Sequence, residues 1–214
     1  NPNTTQNDDF FGYAVAISGN FAIVGAYQEE AAGATVSGYD AGVAYIFNVT
    51  TGALVHTLYN PNAYSSALDD HFGISAVGAT GEDDVDGTYS GKVYVYNVIT
   101  GALIRTIDNP NSAGDADTSL HLFGSKIAIS EASNAIYIGA PGVTRSGVAN
   151  SGVVYSFQLA NGSLNGYVAS PSPSVSAYFG TDVKLTAGKY IIGTRSDNVD
   201  GGFVSVNGIQ VDNP

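Results

Sequence analysis

The 214-residue chain contains no cysteine, no methionine and no tryptophan. Without cysteine, disulfides and thiolate metal sites are excluded, although the compartment stays open. Without methionine, and starting Asn1-Pro2, the sequence reads as a processed form, a fragment or an excised block of repeats. Basic residues are scarce: 7 Lys and Arg face 19 Asp and Glu, for a formal net charge of −12. A nucleic-acid backbone needs a basic face, so nucleic acid is set aside as a partner. An anionic membrane surface is disfavoured for the same reason. No apolar run approaches the roughly 20 residues of a membrane helix, so membrane insertion is not expected. Charged residues of either sign make up only 12%, and 44% are apolar, which excludes a disordered polyampholyte. Stretches with a helical period are also missing.

What is present is glycine, 27 residues of it, among many Val, Ile, Tyr, Phe and Thr. That mixture suits short strands joined by tight turns, and the fold class expected is all-β. The glycines are ordered by a phrase. Asp8-Asp9-Phe10-Phe11-Gly12 returns as Asp69-Asp70-His71-Phe72-Gly73, as His121-Leu122-Phe123-Gly124 and as Ala177-Tyr178-Phe179-Gly180. Each Phe-Gly leads into an apolar segment that closes on Gly25-Ala26, Gly78-Ala79, Gly139-Ala140 or Gly193-Thr194. A phrase that recurs at a fixed long period marks one supersecondary unit used several times. The repeats run over about residues 1–60, 61–109, 110–171 and 172–214, within one domain over 1–214.

Within a repeat the strands can be placed. The first has alternating or β-branched runs at 13–18, 21–24, 43–47 and 54–58, with Gly19-Asn20 and Thr51-Gly52 as turns. The third offers 126–129, 135–138, 153–157 and 164–168, and the fourth 182–186, 189–192, 203–206 and 209–211 around an Asn207-Gly208 hairpin turn. The second offers 92–96 and 103–107, but its front half is short. Gly73 and Gly78 are five positions apart where Gly12 and Gly25 are thirteen apart, a deficit large enough for one strand. Asn60-Pro61 and Asn109-Pro110 break the pairing between repeats, because proline cannot donate to a ladder. Four antiparallel strands per repeat is the grammar of a β-propeller blade. The fold expected is a β-propeller of four blades, the second lacking a strand. The Phe of each Phe-Gly reads as a wedge between blades, and its Gly as a residue with positive φ or a close backbone approach. The last residues, Asp212-Asn213-Pro214, are in phase with Asn1-Pro2, so either the ring closes side by side or a neighbouring protomer continues the series.

These phrases resemble the FG-GAP repeats of integrin α-subunit propellers, closest to a bacterial branch. Asp9-Phe10-Phe11-Gly12, Val24-Gly25-Ala26, Ala44-Tyr45-Ile46-Phe47 and Thr51-Gly52-Ala53-Leu54 carry the likeness. The resemblance implies an extracellular or cell-surface adhesion role, often calcium in the loops, and usually no chemistry.

Candidate cation ligands lie between the second and third strands of a repeat. Asp83, Asp84 and Asp86, and Asp197, Asn198 and Asp200, occupy equivalent loops closed by Gly87 and Gly201. Calcium takes six to eight oxygens, and alternate acidic positions can supply several. Gln28-Glu29-Glu30 and Asp40 are the acids of the first repeat, whereas Thr144-Arg145 argues against a site in the third. The acids before Phe-Gly suit a cap or turn. His56, His71 and His121 have no zinc-triad spacing. No nucleophile elbow, P-loop or His-Glu-x-x-His occurs, so an enzyme is not expected and a propeller hydrolase is the remote alternative. Asn3, Asn48 and Asn161 fit the N-glycosylation pattern, which matters only if the source cell glycosylates. Tyr39, Tyr64 and Tyr89 are the candidate contact residues of the loops. The function expected is a secreted, non-catalytic module binding a protein or glycan at the cell surface. The alternative is a structural protomer that joins copies of itself head to tail, with a neighbour's strand completing the second repeat.

Overall fold

The computed structural model describes residues 1–3, 9–29, 42–61, 78–82, 90–111, 120–130, 133–186, 189–195, 203–207 and 209–212. All regular structure among them is β. The first sheet holds β1 (Phe11–Ser18), β2 (Phe21–Ala26), β3 (Val43–Asn48) and β4 (Leu54–Tyr59). The second holds β5 (Gly78–Ala79), β6 (Lys92–Tyr96) and β7 (Leu103–Asp108). The third is β8 (Lys126–Ser130), β9 (Ala135–Ala140), β10 (Val153–Gln158) and β11 (Leu164–Ala169). The fourth is β12 (Asp182–Thr186), β13 (Lys189–Gly193), β14 (Phe203–Val206) and β15 (Ile209–Asp212). Each sheet is an antiparallel meander in sequence order. The second has three strands among the described residues; 62–77, the stretch short in sequence, lies outside them. The chain forms two compact units, Asn1–Asp108 and Asn109–Pro214, of two sheets each.

Local chemistry explains why the strands stop where they do. After β3, Asn48 Oδ1 accepts the amides of Thr50 and Thr51 at 2.9 and 3.1 Å, and Gly52 N–H closes on Asn48 O at 2.8 Å. After β6, Asn97 does the same for Ile99 and Thr100, with Gly101 closing. Such side-chain acceptors offer the backbone an alternative to the ladder. Both turns are followed by a register shift, at Ile46/Phe47 and at Val95/Tyr96, and the third sheet repeats it at Ser156/Phe157.

The Phe-Gly phrase is a turn with fixed geometry. Phe10, Leu122 and Tyr178, each just before the Phe, have φ of 51°, 56° and 50°, and Gly12, Gly124 and Gly180 have φ of 90°, 94° and 94°. The amides of Tyr13, Ser125 and Thr181 close on the carbonyls of Phe10, Leu122 and Tyr178 at 3.1, 3.1 and 3.2 Å. This is a type II pattern, in which the third position demands positive φ and hence glycine.

In the fourth repeat the turn sets the Phe between two sheets. Phe179 is fully buried with Val154 of the third sheet and Val183 and Ile192 of its own. The turn also runs beside the third sheet's loop: the amides of Tyr178 and Phe179 donate to Asn150 and Ser151 O, and Gly152 bridges Phe179 in parallel. The wedge expected from sequence is therefore observed here. Phe123 is equally buried, edge-on to Tyr155 and Phe157 at 5.9 and 6.1 Å. Phe11 makes the same edge contacts with Tyr45 and Phe47, yet stays 37% exposed. The first and second sheets join through Ala44, Ile46 and Leu58 against Ala79 and Tyr94.

Gly139 shows how close the sheets come. A Cβ added there would stand 2.2 Å from Gly180 O, a backbone atom of the next sheet. Urea titration is expected to show Phe179→Ala losing about 3–5 kcal/mol, the range for emptying a buried aromatic site. Gly139→Ala is expected to lose about 1–3 kcal/mol by overpacking. Midpoints equal to wild type for both would remove the wedge from its joining role.

Candidate functional site at the loop bases

The loops that bear the candidate ligands leave the sheets at one repeated station. Glu29, Glu82 and Val143 each lie three residues beyond the alanine that ends the second strand of the meander or its equivalent. Their amides donate to Ala26, Ala79 and Ala140 O at 3.2, 3.4 and 3.3 Å. Their carbonyls accept from Gly42, Gly91 and Gly152, all at 3.0 Å. The loop is thus pinched shut at its base by backbone bonds, and whatever residue stands there is buried.

Two of those residues are carboxylic acids, exposed by only 1% and 0%. Tyr94 OH reaches both Glu82 oxygens at 2.6 Å, and Lys92 Nζ lies 3.2 Å from Glu82 Oε1. A buried carboxylate is tolerated when it is paired and hydrogen-bonded. Glu29 has the tyrosine, since Tyr45 OH donates to its Oε1. The position facing β2 where β6 has Lys92 is Val43 in β3, so the ammonium is missing. Burial pushes the Glu29 carboxyl above its ordinary value, with the hydrogen bonds of Tyr45, Asn3 and Asn1 opposing and the charge of Asp9 adding to the rise. Burial likewise raises Tyr45, and its bond to Glu29 adds to that. In the third repeat Val143 replaces the acid and Tyr155 packs against Phe123 and Phe157. There the loop is held by a backbone pair between Arg145 and Val148, with the Arg145 guanidinium 3.9 Å above the Tyr167 ring.

A second latch ties the start of the first, third and fourth repeats. Asn1 Oδ1 accepts Asn3 N–H at 2.9 Å and its amide donates to Asp9 Oδ2 at 2.7 Å. Asn109 Oδ1 accepts Asn111 N–H at 3.0 Å and its amide meets His121 Nδ1 at 3.2 Å. Ser170 accepts Ser172 N–H at 3.2 Å and Ala177 fills the third position. Asp9, His121 and Ala177 all stand two residues before the Phe of Phe-Gly. Asp9, expected to serve as a cap or turn before Phe-Gly, is buried and accepts the side-chain amide of Asn1.

The other candidates fall as follows. Asp83, Asp84, Asp86, Asp197, Asn198 and Asp200, together with Tyr39, Tyr64, Tyr89, Asp8, Asp69, Asp70 and His71, lie outside the described residues. Among the described residues no group of three His, Asp or Glu is placed to hold a metal ion. Glu29, read as a loop acid, is a buried partner of Tyr45. His56 Nε2 meets Ile99 O at 2.9 Å and its ring covers Gly101. Asn48 and Asn161 sit on outer turns, their carbonyl oxygens engaged by Thr50, Thr51 and Ser163 amides. The recurring Gly-Ala-x-x-Glu of 25–29 and 78–82 is the signal that could have revealed the buried acids.

Residues 2–47 match the FG-GAP repeat. The match covers β1 to β3, with the Phe-Gly turn and the Glu29 station between them. No curated protein matches the chain in sequence. Among solved structures, hydrazine synthase of Kuenenia stuttgartiensis is similar with a TM-score of 0.57 at 10% identity. The likeness covers 95% of this chain and 47% of that one, so the chain spans about half its length. At that identity it bears on the fold alone, which is of the β-propeller class.

The Glu29 station of the FG-GAP repeat makes stability depend on pH. A carboxyl whose folded pKa is raised stabilises fully below its ordinary value of 4.5, and that contribution is lost as pH rises through the folded value. Glu29→Gln keeps an acceptor for Tyr45 and cannot ionise. Its thermal midpoint is expected to match wild type in acid and to exceed it increasingly above pH 4.5. Parallel curves across that range would show that Glu29 does not change charge inside the fold.

Proposed function

We propose that the chain is a non-catalytic interaction module of the cell exterior, which presents loops from a β-propeller scaffold to a protein or glycan. The observation that carries this reading is the pinched loop base. At Glu29, Glu82 and Val143 backbone pairs within the frame close the base of each loop, so the loops are free to vary in chemistry without disturbing the sheets. The third repeat illustrates it, with an arginine-bearing loop on the same stem as two acidic ones. The loops at 27–42, 62–70 and 111–120 carry the contacts, Tyr39 and Tyr64 among them, with Tyr89 in the second acidic loop. Buried carboxylates that could be taken for catalytic acids already serve Tyr45, Tyr94 and Lys92, which supports a role without chemistry. In the acidic loops, Asp83, Asp84 and Asp86, and Asp197, Asn198 and Asp200, take calcium as a stiffening ion.

Replacing 30–41 or 83–89 with Gly-Ser of equal length tests the reading. Retention on a panel of immobilised cell-surface glycans and intact cells is expected to fall more than tenfold with unchanged circular dichroism. Equal retention by both variants, or none by wild type, overturns it. Calorimetry with calcium on chelator-treated protein is expected to show heat that disappears in Asp83→Asn/Asp86→Asn; no heat and no thermal shift removes the ion.

A further inference from the structure

We propose that the first repeat holds a calcium ion between Asp9 and Glu29, where the second repeat uses the ammonium of Lys92. The proposal rests on two equivalent stations that differ by one cation. β6 begins with Lys92 opposite Ala79, and β3 begins with Val43 opposite Ala26, so Lys92 and Val43 occupy the same position. Glu82 and Glu29 are equally buried, and Tyr94 and Tyr45 donate the same hydroxyl to them. In the second repeat Lys92 Nζ then lies 3.2 Å from Glu82 Oε1. In the first, Tyr45 takes Glu29 Oε1, and Oε2 has no hydrogen-bond partner among the described residues. The Asn1 and Asn3 amides favour charge on Glu29 but make no bond to that oxygen.

Burial limits what the missing partner can be. Glu29 is 1% exposed, so no side chain of another molecule reaches Oε2 without opening the loop base. An acceptor left bare inside a protein costs more than an exposed one, and a small ion that enters can relieve it.

Charge then fixes the class of ion. Asp9 is 7% exposed, its negative charge acts against that of Glu29, and its Oδ2 accepts the Asn1 amide at 2.7 Å. Two buried carboxylates call for two positive charges where Glu82 alone calls for one. Residues 1–60 include no Lys or Arg to supply them. The donors are oxygens and the chain has no cysteine, which selects a hard divalent cation over a thiophilic one. Calcium accepts irregular sets of oxygen ligands, whereas magnesium demands a near-ideal octahedron. With two carboxylates and no third acid, the affinity belongs to the modest range of extracellular modules, about 10⁻⁴–10⁻³ M. The ion fastens the Asn1–Asp9 latch at the entry of the repeat to the Glu29 stem of its loop. It is separate from the loop ions of Asp83, Asp84 and Asp86 and of Asp197, Asn198 and Asp200, and does not depend on them.

The test is the order of thermal midpoints for the 214-residue chain at neutral pH, in EDTA and in millimolar calcium. In EDTA, Glu29→Gln is expected to melt above wild type, because the bare carboxylate carries the cost of its burial. In calcium, wild type is expected to rise by about 2–5 °C and to overtake Glu29→Gln. Asp9→Asn, which keeps an acceptor for Asn1, is expected to lose at least half of that rise. The variant Asp83→Asn/Asp86→Asn, intact at this station, is expected to keep the difference from Glu29→Gln that calcium creates. A wild type that does not respond to calcium, or one that stays below Glu29→Gln in its presence, overturns the proposal. So does a full calcium response in Asp9→Asn, or a reversal that disappears in Asp83→Asn/Asp86→Asn.

Discussion

The junction between the third and fourth sheets depends on one contact, the Phe of a Phe-Gly turn lying over the preceding sheet. Phe179 shows what the contact requires. Its Gly180 must hold φ near 94°, so that the turn can close and its carbonyl can approach Gly139. Tyr178 must accept a left-handed backbone to aim the ring. Glycine at two stations and an aromatic at a third are thus parts of one arrangement. A small sheet cannot bury both faces by itself, and the turn supplies the missing cover.

Hydrogen bonds then separate the frame from the loops. The Asn1 and Asn109 latches fix where a repeat begins, and the Glu29 and Glu82 stations fix where its variable loop leaves. The two acidic stations differ in their partners. Glu82 has an ammonium and a tyrosine; Glu29 has the tyrosine and sits beside Asp9. One stays compatible with its charge, and the other is more comfortable as a neutral acid. Equivalent positions in a repeat need not share an electrostatic state.

Much of the fold was legible because its signals are local. The Phe-Gly phrase, the Asn-Thr-Thr-Gly turn after β3 and the alternation of 13–18 each point to a conformation without knowledge of the rest of the chain. The strand of 126–130 and the hairpin at Asn207 follow from the same kind of reading. The loop stations were not legible in this way. Glu29 looks like any surface acid next to Gln28 and Glu30, and only the carbonyl of Ala26 and the hydroxyl of Tyr45, sixteen residues away, make it a buried group. Asp9 was closer to reach, since its position before Phe-Gly already suggested a cap; its partner Asn1 was not foreseen. Long-range partners of single polar atoms leave no periodic trace.

The register shift beside the third strand of the first three sheets, at Ile46/Phe47, Val95/Tyr96 and Ser156/Phe157, has an evolutionary consequence. Strand residues alternate between faces, so one inserted residue inside a sheet exchanges its two faces. A duplicated stretch that runs from one Asn-Pro latch to the next carries its own shift, turn and wedge with it. Length can therefore change by whole repeats at little structural cost, whereas shorter insertions are confined to the loops beyond the pinched bases. Such a gene grows by copying blades and diversifies by rewriting loops, two processes that the architecture keeps from interfering with each other.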